Sequence, residues 1–115
     1  MRPMTSYKQG DVVLVPFPFT DLSTHKQRPA VVLSSRSHSS THPDVILAPV
    51  TSRAAHALDE VSLADWANAG LLKPSVVKPI LASCEMRLII RKLGSLSAPD
   101  LAQVRALFAR ILELT

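Results

Sequence analysis

Through about its first eighty residues the chain is written as short β-branched runs, most of them bounded by proline, glycine or polar residues. Val12–Val15 follows the turn-like Gly10-Asp11, and Pro16 and Pro18 then limit ladder pairing, which predicts a bend or an edge. Pro29–Leu33 and Val45–Val50 read as two further strands, with Val61–Leu63, Ser75–Leu81 and Leu88–Ile90 as shorter candidates. Runs this short suit a small β-barrel or sandwich.

Two segments read as helix instead. Ser62–Asn68, stopped by Gly70, is a short candidate with a cap-like Ser62-x-x-Asp65. The C-terminal one is much better marked. Ser97-Ala98-Pro99-Asp100 supplies an N-cap serine, a proline in the first turn and an acid three residues on. Leu101, Val104, Phe108 and Ile111 then recur at helical spacing, with Leu107 and Leu112 widening the stripe. Such a helix packs on one face of the sheet. The expected fold is therefore mainly β, a small barrel with a C-terminal amphipathic helix.

At 115 residues the chain is a single domain, residues 1–115. Hydrophobic residues make up 47% of it and charged residues 19%, below the typical ~25%. That excludes disorder, and the apolar surplus points to surface covered by a partner. No apolar run approaches the ~18 residues of a membrane span, and Met1–Ser6 lacks the apolar core of a signal peptide. The expectation is a cytoplasmic protein with no membrane partner. The lone Cys84 cannot form an internal disulfide, and the absence of any cysteine pair argues against a structural zinc site. A net charge of +4 permits a polyanionic partner.

The placement of that charge is more informative. Residues 22–43 carry Lys26, Arg28, Arg36 and three of the four histidines, and no acid. If Arg28–Ser34 and Asp44–Val50 pair as a hairpin across a polar loop 35–43, Arg28 falls opposite Val50, beside Thr51-Ser52-Arg53. The hairpin then divides the cluster. His25, Lys26 and Arg28 lie at the Thr51 end, whereas Arg36, His38 and His42 lie ~23 Å away at the other. Guanidinium, hydroxyl and imidazole together suit a phosphodiester. Arginine offers paired donors to phosphate oxygens, threonine donates to the same anion, and histidine moves a proton near neutral pH. An RNA 2′-OH can attack its own phosphate once it is deprotonated and the developing charge is stabilised. Taken singly, an Arg-Pro that opens a strand is more often a solvated strand edge than a catalytic arginine.

The order of the motifs carries a resemblance. Gly10–Phe17, Lys26–Ser34, Ala48–Ser52, Gly70–Val77 and Lys92–Leu96 together resemble the MazF/PemK (Kid) toxins over residues 7 to 114. The resemblance implies a compact SH3-like barrel with a C-terminal helix, a homodimer, and metal-independent, sequence-specific cleavage of single-stranded RNA. The products would carry a 2′,3′-cyclic phosphate and a 5′-hydroxyl, and no cofactor is implied. The family's strand-opening arginine maps onto Arg28, as stabiliser of the phosphorane charge, and its strand-ending threonine onto Thr51. A cognate antitoxin is implied as partner, with operator DNA reached through the toxin–antitoxin complex.

Many members of that family carry a glutamate before the arginine, where this chain has Leu22-Ser23-Thr24-His25, and Lys78–Ser83 replaces another acid-containing stretch. His25 is the leading candidate for general base, ahead of Asp21 and Glu85. Lys26, Ser52, Arg53, Phe19 and Thr20 are the candidate RNA contacts. With aromatic residues at 4%, recognition rests on base edges and backbone more than on stacked rings. Two other classes compete. A gyrase poison of the CcdB type would grip its target through C-terminal residues, but Glu113-Leu114-Thr115 lacks an aromatic anchor. An SH3-like binding module would need an aromatic peptide groove, for which five aromatic residues are few.

Overall fold

The structure is a computed structural model that describes residues 6–16, 26–52 and 59–114. In chain order the elements are β1 (Asp11–Pro16), β2 (Gln27–Val32), α1 (Arg36–Thr41), β3 (Asp44–Thr51), β4 (Val61–Ser62) and β5 (Val76–Val77). There follow β6 (Ala82–Glu85), a 3-10 turn (Met86–Leu88), β7 (Arg91–Ser95) and α2 (Ala98–Leu112). The strands form one antiparallel sheet in the order β4-β5-β3-β2-β1-β7, with β6 also paired to β3. The expected mainly β fold with a C-terminal helix is the one observed. Among the described residues no ladder joins β4 to β7, so the barrel-like sheet is open.

Alternation along the strands builds two cores. Val12, Val31, Ala48 and Val50 face α2 and pack with its Val104, Leu107 and Phe108. Val13, Val15, Ala30, Val32, Val45 and Leu47 pack on the opposite face with Cys84. Each fully buried side chain of this size contributes about 1.5–3 kcal/mol, so both faces are needed to hold so small a sheet. Burial, and then the nearby carboxylates of Asp44 and Glu85, push the Cys84 thiol up. It is a packed, neutral side chain and not a nucleophile.

Helix α2 starts as expected: the Ser97 hydroxyl accepts a hydrogen bond from Asp100 N at 3.3 Å, and Pro99 sits in the first turn. The Asp100 carboxylate does something the sequence pattern does not foretell. It is 3% exposed and accepts from Ala64 N at 3.0 Å and Asp65 N at 2.8 Å. Those donors belong to the segment expected to be a helix. It is instead a run of turns over 64–70, whose leading N–H groups the Asp100 carboxylate caps. Its far end is fixed by glycine. A Cβ on Gly70, whose φ is +84°, would lie 2.1 Å from Leu93 O, and one on Gly94 would lie 2.6 Å from the Ala69 backbone. The turn and β7 touch backbone to backbone.

Three further expectations need correction. The Ser75–Leu81 strand shrinks to Val76–Val77 between Pro74 and Pro79. Leu88–Ile90 is not a strand: it closes a 3-10 turn, after which Ile90 N donates to Leu14 O and β7 begins. Residues 35–43 are not simply a loop. Ser35 caps His38 N at 3.0 Å and α1 follows. The hairpin is also one residue away from the expected register. Ala30 pairs with Pro49, Val31 with Ala48 and Val32 with Leu47. Continued two residues further, the same register brings Arg28 level with Thr51 itself, not with Val50.

Candidate active site at the open end of the hairpin

Beyond Pro49, β3 leaves β2 and pairs with β5, Val50 with Val77 and Thr51 with Val76. The two strands part where Arg28 and Thr51 come level, and a cavity of about 500 Å³ opens there. Arg28, Thr51 and Ser52 line it together, as the sequence expects. Lys26 lies just before β2 and is exposed. His25, Phe19, Thr20, Arg53 and Asp21 lie outside the described residues. Glu85 is not part of the cavity. It pairs with Asp44 at the other end of β3 and forms an ion pair with Arg87 at 2.9 Å.

The far walls hold two cations that sequence reasoning passes over, Lys73 and Arg91. Arg91 opens β7 and pairs with Leu14, while Arg28 pairs with Val15 on the other side of β1. The sequence signal is that Lys73 lies within the Gly70–Val77 motif and Arg91 immediately before Lys92–Leu96. Their side chains matter only because the pinned turn and β7 meet at this cavity. The floor between the cations is apolar, made by Leu14, Val50, Leu71 and Leu93.

Charge is left uncompensated here. Lys78 meets Glu60 at 2.5 Å, Lys92 meets Asp11 at 3.2 Å, and Arg110 meets Asp59 at 2.6 Å. Among the described residues no carboxylate pairs with Arg28, Lys73 or Arg91, and none lines the cavity. Three cations around one hollow make its surface electropositive. His38 and His42 stack with ring centroids 4.2 Å apart, at the α1 end and away from this cavity. Among the described residues no three of histidine, cysteine, aspartate and glutamate gather as metal ligands would. No described helix is long and apolar enough to cross a membrane.

The fold and site define a class: a small open β-sheet backed by a C-terminal helix, with an arginine- and threonine-lined anion cavity where its central hairpin parts. The chain belongs to the PemK-like, MazF-like toxins of type II toxin-antitoxin systems, whose family model matches residues 8–112. The chain is similar to the crystal structure of MazF from Deinococcus radiodurans, with 28% identity, a TM-score of 0.76, and coverage of 96% of this chain and 99% of that one. A MazE-MazF crystal structure from the same organism is 26% identical, with a TM-score of 0.80 over 96% of this chain and 100% of that one. An endoribonuclease solved with its cognate antitoxin, from a mycobacterial species, shares the fold at 14% identity and a TM-score of 0.78, covering 96% and 98%. No curated protein sequence matches the chain.

Proposed function

We propose that the chain is the ribonuclease toxin of a type II pair, cleaving single-stranded mRNA without a metal ion and so inhibiting translation. What supports this is a cavity lined by both Arg28 and Thr51, where the hairpin register, continued two residues beyond Ala30 and Pro49, brings them level. In the proposed reaction the RNA 2′-oxygen attacks the adjacent phosphorus while its proton passes to a base. Charge builds on the phosphorane oxygens, where the Arg28 guanidinium and the Thr51 hydroxyl donate. The 5′-oxygen then leaves with a proton, giving a 2′,3′-cyclic phosphate and a 5′-hydroxyl.

His25 is the proposed proton acceptor. It lies three residues before Arg28, so the chain holds the two Cα atoms within ~11 Å. Lys26, Ser52, Arg53, Phe19 and Thr20 are the proposed RNA contacts, clustered in sequence around the same two strand ends. The antitoxin is proposed to lay an acidic segment along the cations, reaching operator DNA as a complex. The homodimer is proposed to form through the apolar hollow beside α2, where Ile46, Leu81, Leu112 and Leu114 are exposed. The protein is proposed to act in the cytoplasm.

Purified protein is expected to cut a mixed-sequence single-stranded RNA at defined positions in EDTA, and Arg28→Ala to abolish the cutting with its circular dichroism unchanged. Cleavage that needs a divalent metal, or full activity in the variant, overturns the reading. Inhibition of DNA supercoiling without RNA cleavage would favour a gyrase poison.

A further inference from the structure

We infer that Lys73 and Arg91 form a second phosphate subsite, facing Arg28 across the cavity and holding the backbone phosphate next to the one that is cut. The inference rests on the ribonuclease reading above and names how the substrate lies in that site. Arg28 and Arg91 sit on the two strands that flank β1, one paired with Val15 and the other with Leu14. Two strand spacings put their backbones ~10 Å apart; Val15 and Leu14 face opposite sides of β1, so the two side chains leave their strands on opposite faces and both border the cavity at the end of the sheet. A single nucleotide with a phosphate at each end bridges such a gap.

The position of Lys73 is built and not incidental. The Ser75 hydroxyl donates to Lys73 O at 2.8 Å, and Ser75 O accepts from Leu63 N at 3.0 Å, which ties the turn to the edge of β4. Upstream, Asp100 and the Gly70–Leu93 contact hold the same segment. Lysine therefore projects from a fixed turn, and like Arg91 it has no carboxylate partner among the described residues.

Between the two cationic walls the surface suits the uncharged part of a nucleotide. Leu14, Leu71 and Leu93 make the floor, and Leu72 stands beside Lys73 with 92% of its surface exposed. No aromatic ring is among the described residues lining the cavity, so leucine supplies the apolar cover that stacking rings provide elsewhere. The arrangement is charge, apolar patch, charge. That is the pattern of phosphate, nucleoside, phosphate.

The test uses an RNA that the wild-type protein cuts, made uncleavable by one 2′-deoxy substitution at the cut nucleotide and titrated by fluorescence anisotropy over a range of salt. Lys73→Ala/Arg91→Ala is expected to bind about tenfold or more weakly, with the salt slope reduced by about 0.7 for the one phosphate lost. Replacing one neighbouring phosphate, on the 5′ or the 3′ side, by an uncharged methylphosphonate should weaken wild-type binding comparably and leave the double variant unaffected. Unchanged affinity and slope in the variant, or a variant still sensitive to the neutral linkage at both neighbours, overturns the subsite while the ribonuclease reading stands. A wild-type protein that cuts no RNA overturns both.

Discussion

The β2–β3 hairpin runs between two hollows of similar size, one bordered by three cations and the other by a single cation, Arg105, among mostly apolar side chains. At one end Arg28, Pro29, Val50 and Thr51 border a cavity of about 500 Å³ that also holds Lys73 and Arg91. At the other, Leu33, Ser34 and Ile46 border one of about 430 Å³ closed by Leu81, Phe108, Leu112 and Leu114. The middle of the hairpin is the same buried alternation in both directions, so the difference arises only where the strands end. An exposed leucine gains by being covered, whereas unpaired arginines stay solvated until an anion replaces the water. On the proposed function, one end therefore takes a second copy of the chain and the other an RNA.

The largest expected effect separates the two ends. Arg28→Ala should lower kcat for RNA cleavage by about 10²–10³-fold, as for other lost donors to a developing oxyanion, while the oligomeric mass stays that of the wild type. Leu81→Glu/Leu112→Glu should do the reverse first. An unpaired carboxylate buried in an apolar face costs several kcal/mol, so analytical ultracentrifugation should show monomers at concentrations where the wild type is dimeric. A dimer that persists in this variant breaks the assignment of the apolar end.

Asp100→Ala tests what holds the far wall of the charged end. It leaves Ala64 N and Asp65 N without their acceptor and should cost about 2–4 kcal/mol in urea unfolding. The effect should also reach RNA affinity through Lys73, and normal affinity would free the wall from Asp100. The smallest effect belongs to the apolar end. Glu113 closes α2 in the left-handed region at φ 55°, where glycine is relaxed. Glu113→Gly should raise stability by about 0.5–1 kcal/mol, seen as a Tm a few degrees higher.

The sequence made these two ends unequally legible. Val12–Val15, Pro29–Leu33, Val45–Val50 and α2 announce themselves because β-branched alternation and a Ser-Ala-Pro-Asp cap are local signals. Ala82–Glu85 does not, since Ala-Ser-Cys-Glu has no β-branched residue and becomes a strand only by pairing with β3. Arg28 and Thr51 could be brought together from hairpin geometry, within one residue of the observed register. The stretch between the two strands, which reads as a loop, is α1, capped by the Ser35 hydroxyl. Lys73 and Arg91 were invisible as site residues for a deeper reason. Forty residues and more separate them from Arg28 in sequence order, and they reach the cavity through Asp100, Gly70 and Gly94, tertiary contacts that leave no periodic trace.

The central claim is that Arg28 and Thr51 together serve attack by a neighbouring 2′-hydroxyl. Mass spectrometry of RNA cleaved in EDTA tests it most directly, with a second substrate identical except for a 2′-deoxy at the cut nucleotide. The expected result is an upstream fragment one water lighter than the linear phosphate, a downstream 5′-hydroxyl, and no cleavage of the deoxy substrate. A 5′-phosphate on the downstream fragment, or cutting of the deoxy substrate, would contradict it.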